Sequence, residues 1–458
     1  MYSGEQSPHG SKPRDQARTA LAPLVLQRRQ KAFTADGGHR SGLPEDILRQ
    51  YAYLVSESGI IRELEYFRPD PYGLVHVCVA HLRTVARQRA SRKVLRATCV
   101  GKGMTEAQAR VSAIGEAVER YSGVFRGNEI RIKGSYKELG DKAIHPNTCM
   151  NFSARQYEKR EESNLREGEY NWVPEPFDEE RELEWTPVWS LTEERFKYAT
   201  TAQCYFGYPF LAEIDFCRPD SNGNAAGVTL EEAILQGFLE VVERDAVAMW
   251  WYNRARRPGV DLSSFDESYF STVKNLHGVL GRKMHVLDIS ADFPIAVFAA
   301  LSSGERGDVD LLIGFGAHLE PRVAMARAIT EMNQFLAPVI AGQTLRFFVG
   351  GPFDKAFLEP DPASRLKTAE DYTRLDNEDL YEDVKTCVEL AAKRGMETLV
   401  LDQTRFDAGM HAVKVIVPGM RSWWARFAIG RLYNVPLQVG WQTSRLSEEQ
   451  LNPCHLIV

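Results

Sequence analysis

One five-residue string, Glu-x-x-Glu-Arg, occurs twice in otherwise apolar stretches: Glu116-Ala-Val-Glu119-Arg120 and Glu240-Val-Val-Glu243-Arg244. An α-helix turns by about 100° per residue, so carboxylates three apart share a face. The neighbours of each pair are Ala, Val, Ile, Leu and Phe, which marks both helices as largely buried. A buried carboxylate is costly unless a cation or hydrogen bonds compensate it. Four such groups in two similar settings point to hard-cation chemistry, with a magnesium–nucleotide complex as the leading ligand. Glu116, Glu119, Glu240 and Glu243 are the candidate metal ligands. A single copy of this string is a common surface-helix pattern whose i, i+4 pairs merely solvate the helix. Two copies in apolar settings favour the functional reading.

Further polar side chains extend these stripes. On the first helix Ser112, Glu116 and Glu119 fall within about 60° of one another. On the second, Glu232, Gln236, Glu240 and Glu243 fall within about 80°. A third helix, about 321–336, lines up Arg327, Glu331 and Gln334 at i, i+4 and i+7. Magnesium takes oxygen ligands, and Arg120, Arg244 and Arg327 suit bidentate bonds to phosphate. Lys102, between Gly101 and Gly103, reads as a phosphate contact from a tight turn ahead of the first helix. That segment is not a Walker A loop, because Gly103 follows the lysine where Ser or Thr belongs. The kinase strings His-Arg-Asp and Asp-Phe-Gly and the Gly-x-Ser-x-Gly elbow are missing too. No catalytic acid, base or nucleophile is assigned. His318 and His411 follow strand or loop ends without a sequence-visible partner, and read as ordinary histidines.

The elements that must position these side chains follow from periodicity. The chain has 458 residues, 44% hydrophobic and 26% charged, which fits an enzyme of one large or two to three ordinary domains. A net charge of −6 argues against a general nucleic-acid binder. No apolar run approaches a membrane span, and the polar N-terminus shows no secretory h-region. Seven scattered cysteines without Cys-x-x-Cys speak against zinc or a disulfide framework and for the cytoplasm. Residues 1–15 read as disordered and about 17–33 as a helix. From about 60 onward the pattern is a single α/β body. Strands are expected at 74–82, 94–100, 284–289, 294–301, 309–315, 398–401 and 412–417. Helices are expected at about 105–125, 229–252, 321–336 and 423–432. The charged stretch 155–185, with Trp172 and Trp185, reads as an exposed excursion, and 351–380 as an insertion or long loop.

The strings GKGMTEAQARVSAIGEAVERYSG (Gly101–Gly123), NAAGVTLEEAILQGFLEVVERDA (Asn224–Ala246) and RAITEMNQ (Arg327–Gln334) resemble the YcaO family. With SGIIREL (Ser58–Leu64) and the end LNPCHLIV, the likeness spans about 55–458, and it is greatest to the azoline-forming cyclodehydratases of thiazole/oxazole-modified peptide maturation. The resemblance implies a YcaO-type α/β fold: mixed sheets, buried carboxylate-bearing helices, a YcaO domain over 56–458 and a polar, partly helical extension over 1–55. It implies ATP and Mg2+ as cofactors. Carried over by motif, Ser112, Glu116, Glu119, Glu232, Glu240, Glu243, Arg244, Arg327 and Glu331 become nucleotide and metal residues. The implied reaction activates a backbone amide so that a Cys, Ser or Thr side chain of a ribosomal precursor peptide cyclises to a thiazoline or oxazoline. Thioamide or amidine formation, or a non-catalytic scaffold, are the competing readings.

Two departures stand out. The tail Asn452-Pro453-Cys454-His455 has one proline where such enzymes often carry Pro-x-Pro-x-Pro reaching the active site. Leu336 occupies a position where the family often has arginine. About 55 residues before the YcaO-like region are too few for a ThiF-like domain. A separate ThiF-like, leader-binding partner is therefore expected, with a flavin-dependent dehydrogenase as a further partner and a homo-oligomer as the assembly.

Overall fold

The computed structural model describes residues 21–33, 39–68, 70, 72–83, 98–167, 171–209, 215–304, 311–340, 343, 345, 347–349 and 354–456. The expected disorder of 1–15 lies outside them. Three sheets carry the fold, and each delivers one of the polar-striped helices. In the first, β1 (Ile61–Phe67), β2 (His76–Leu82) and β3 (Thr98–Gly103) form an antiparallel meander, and α1 (Glu106–Ser122) follows. Thr105 caps α1, its hydroxyl accepting from Gln108 N at 3.3 Å. Val111, Ala113, Ile114, Ala117 and Val118 turn inward and are buried.

The second sheet is six-stranded. It contains β4 (Ile132–Gly134), β5 (Leu183–Ser190), β6 (Arg195–Thr200) and β7 (Asn224–Gly227), joined late in the chain by β8 (Leu399–Asp402) and β9 (His411–Ile416). The order is β4-β5-β8-β9-β7, with β6 on β5. Between β7 and β8 lies α2 (Leu230–Asn253), whose 24 residues are the spine of the main core. Trp250, Trp251 and Tyr252 are fully buried there. The third sheet is a second antiparallel meander of strands Lys283–Asp288, Ala296–Ser303 and Leu311–His318, followed by the helix Pro321–Gln334. Pro321 suits its first turn, and the Glu320 carboxylate accepts from Arg322 N at 3.1 Å.

Several expectations need correction. Gly101-Lys102-Gly103 is no turn but the end of β3. A Cβ on Gly101 would overlap Ala109 O and Ala113 N, so glycine here buys a close strand–helix approach. The described part of 17–33 is extended apart from a two-residue strand. Its backbone groups are spent elsewhere: Lys31 N donates to Glu378 O at 2.9 Å, and Arg29 O accepts from Leu380 N at 2.8 Å. Lys31 makes a buried ion pair with Asp383. The stretch 155–185 is not wholly exposed. Trp185 on β5 is fully buried, and its indole N–H donates to Gly134 O at 2.8 Å. The helix expected at 423–432 starts only at Arg431 and runs to Gln438. Before it the chain is irregular, because Arg421 N bonds to Asp245 and Gly430 sits at φ +142.

Candidate functional site

A cavity of about 840 Å³ opens where the three helices and the first sheet meet. Ser112, Glu116, Glu119 and Arg120 reach it from α1. Gln236, Glu240, Glu243 and Arg244 reach it from α2. Arg327 and Glu331 come from the helix Pro321–Gln334, and Lys102 from β3. Glycine–alanine contacts set the depth of each helix. Gly101 and Gly103 lie against Ala109 and its neighbours, Gly227 against Ala233, and Gly314 and Gly316 against Ala324 and Ala328.

Glu232 is not among the lining residues. It sits at the N-terminus of α2, where its carboxylate accepts from Val228 N at 3.0 Å and Ser41 Oγ at 2.7 Å. A motif residue on the same helical stripe is thus turned toward backbone, because the first turn of a helix has unpaired N–H groups nearby.

The charges inside are only partly compensated. Glu116 accepts from Arg120 Nη2 at 2.6 Å and from Val100 N at 2.8 Å. Glu240 pairs with Arg244 at 3.1 Å. Lys102 crosses from β3 to pair with Glu331, which also accepts from Phe315 N at 3.3 Å. Arg327 donates to Gln236 and, at 3.3 Å, to Ala317 O. Glu119 and Glu243 take no hydrogen bond and no ion pair from the described residues.

Electrostatics follows that geometry. Burial, then Glu240 and Glu116, push the Glu119 carboxyl well above the usual range. Burial, with Glu331 next, pushes Glu243 up to about 8. Glu240 is also raised by burial, against the pull of Arg244 and Lys414. Too many acids share one low-dielectric space. A divalent cation would relieve that repulsion, and an all-oxygen donor set suits magnesium. Among the described residues no three His, Cys, Asp or Glu side chains converge as a ready metal cage. Glu116, Glu119, Glu240 and Glu243 are the oxygen donors in the cavity that could hold magnesium, an ion that usually keeps water and phosphate oxygens as further ligands.

Sequence reasoning missed Asn224, Ser221, Gln108, Thr330 and the pair Trp423 and Trp424, all lining the cavity. Thr330 adjoins a recognised stripe. The tryptophans sit on an irregular loop, where no period betrays them. His318 is structural: its Nδ1 accepts from Glu320 N at 3.0 Å. No described helix is long and apolar enough to cross a membrane.

Comparison with known proteins identifies the family. A family model described as YcaO cyclodehydratase, ATP- and Mg2+-binding, matches residues 100–421. A heterocyclase solved in complex with substrate and cofactor superposes with a TM-score of 0.87 and 45% identity, covering 94% of this chain and 59% of that one. The heterocyclase TruD gives 0.76 and 43%, covering 95% of this chain and 56% of that one. The chain therefore spans under two thirds of the length of either heterocyclase. YcaO from Methanopyrus kandleri, bound with AMPPCP and Mg2+, shares the fold at a TM-score of 0.62 and 22% identity, covering 86% of this chain and 95% of that one.

Proposed function

The chain belongs to the YcaO family, whose members bind ATP and Mg2+, and from that premise we propose that it is an ATP-dependent peptide cyclodehydratase subunit. The observation that supports this most directly is that Glu119 and Glu243, whose carboxylates take no hydrogen bond or ion pair from the described residues, line one cavity with Arg244 and Arg327. The two heterocyclases at 45% and 43% identity narrow the chemistry to ring formation.

In this reading the acidic wall carries the nucleotide. Bound magnesium supplies charge neutralisation at the phosphates. Glu116, Glu119, Glu240 and Glu243 hold that charge in place, with Gln236 and Ser112 beside them. Arg120, Arg244, Arg327 and Lys102 offer cations to phosphate oxygens. The site's task is to set a poor electrophile against the γ-phosphoryl group. A Cys, Ser or Thr side chain of the substrate forms a bond to the preceding carbonyl carbon and gives up its proton. The carbonyl oxygen takes the γ-phosphoryl group as the bond to ADP breaks. Phosphate then leaves with that oxygen, the amide nitrogen loses its proton, and a C=N bond closes the azoline. One water's worth of mass is lost per ring.

The substrate in this reading is a ribosomally made precursor peptide. A separate ThiF-like, leader-binding protein positions it, and a flavin-dependent dehydrogenase can follow. A partner that positions the peptide lowers an entropic cost, so turnover by the chain alone should be slow. Rapid leader-dependent modification by the isolated chain would remove the partner from this proposal.

The decisive experiment uses a peptide labelled with oxygen-18 at the attacked amide. The label should appear in released phosphate, with a loss of about 18 Da per ring, because that oxygen is the phosphorylated one. Label retained in the peptide would sink amide phosphorylation. A mass gain matching sulfur-for-oxygen exchange would replace azoline by thioamide formation.

A further inference from the structure

Trp423 belongs to no regular element, yet it is fixed on several sides. Its backbone carbonyl accepts from the Tyr252 hydroxyl at 2.8 Å, and two residues earlier Arg421 N donates to Asp245 at 2.9 Å. Both anchors lie on α2. Trp423 is 5% exposed and lines the cavity. Phe315, the residue between Gly314 and Gly316, packs on it with ring centroids 6.0 Å apart. The Arg244 guanidinium carbon sits 3.1 Å from the Trp423 ring centroid.

Arg244 is otherwise thinly held. Its ion pair to Glu240 spans 3.1 Å, and its buried Nε has no hydrogen-bond partner among the described residues. The same guanidinium lowers the proton affinity of Glu119, Glu240 and Glu243, which line the cavity with it. A guanidinium over an aromatic face keeps its N–H groups around the rim for oxygen ligands, whereas a free one follows its carboxylate.

We propose that Trp423 is a positioning residue that holds the Arg244 guanidinium in place for the phosphates of the nucleotide. The inference rests on the ATP reading of the cavity. In this role Trp423 acts through Arg244.

The test measures the affinity of the full chain for Mg-ATP by calorimetry, with KM and kcat where turnover is seen. Trp423→Leu should weaken affinity about tenfold and change kcat far less, while Trp423→Phe, which keeps a ring face, should stay within about twofold of the parent. In an Arg244→Gln background Trp423→Leu should add nothing, since the group it positions is gone. Unchanged affinity in Trp423→Leu, or an effect that adds in full to that of Arg244→Gln, would overturn the role. Should Trp423→Leu fail to fold, Trp423→His gives an independent reading. Protonated imidazole repels Arg244, so its affinity should fall relative to the parent between pH 8 and pH 5.5; parallel pH profiles would overturn it equally. A parent chain that binds no Mg-ATP would remove the nucleotide reading and this role together. A parent that binds, beside an unaltered Trp423→Leu, removes only the role of Trp423.

Discussion

The first and third sheets are the same device carrying different chemistry. Each is a three-stranded antiparallel meander followed by a capped helix packed on its last strand. In each, two glycines of that strand meet alanines of the helix: Gly101 and Gly103 against Ala109 and Ala113, Gly314 and Gly316 against Ala324 and Ala328. Matching Ala113 with Ala328 brings Ser112 level with Arg327, Glu116 with Glu331, and Glu119 with Gln334. One unit therefore presents two acids, of which Glu119 has no hydrogen-bond or ion-pair partner among the described residues. The other presents a cation, an acid and a neutral amide, and its acid is paired by Lys102 from the first unit. Small residues fix how deep a helix sits; the adjoining face is then free to carry any charge. The site exists because two units of unlike charge, and the central α2, share one cavity.

If the glycine contacts are the shared device, Gly101→Val and Gly316→Val, the two positions matched by their contacts with Ala109/Ala113 and Ala324/Ala328, should be equally damaging. Each should cost about 3 kcal/mol in denaturant unfolding, since the overlap is with backbone and not with a movable side chain. A large loss at one and none at the other would break the equivalence of the two units.

Chemistry should separate what packing equates. Glu119→Gln and Glu243→Gln are expected to lower ATP turnover about a hundredfold or more, while the protein stays folded by circular dichroism. Retention of full ATP turnover in both would remove the acidic wall from the nucleotide site. Collapse of the fold would instead make these carboxylates structural.

The link between the units should matter less. Lys102→Met leaves Glu331 without its cation, and affinity for Mg-ATP should fall about tenfold, with partial recovery in Lys102→Arg. An unaffected Lys102→Met would mean that the two units do not communicate through this pair.

The smallest expected effect is on pH dependence without nucleotide or magnesium. Burial and Glu331 push Glu243 up to about 8, and burial with Glu240 and Glu116 raises Glu119. An acid whose folded-state affinity for its proton is raised keeps that proton after the unfolded chain has lost it. Stability should then fall as pH rises from the ordinary carboxylate range of 4.5 toward about 8. Glu243→Gln should flatten that slope. Gln334→Glu, which gives the third-sheet helix the acid that α1 carries at the same level, should steepen it. Thermal melts across this range decide the point, and a slope indifferent to both substitutions would contradict the crowding of acids.

The sequence by itself determined the striped helices and their chemistry, because a helix converts spacing into direction without outside help. Ser112, Glu116, Glu119, Gln236, Glu240, Glu243, Arg244, Arg327 and Glu331 were legible in this way and line one cavity. Glu232 shows the limit of that logic: the same stripe near a helix start serves backbone N–H groups instead. Only the tertiary structure decided what long-range packing controls. It made Gly101-Lys102-Gly103 a strand, since its ladder partners are Cys78, Val77 and His76 on β2, more than twenty residues earlier. It laid residues 29–31 against residues 378–380, more than three hundred residues away. It buried Trp185 inside a charged stretch, and it set Trp423 over Arg244 from a loop without period. Such contacts join residues far apart in the chain, and no local pattern records them.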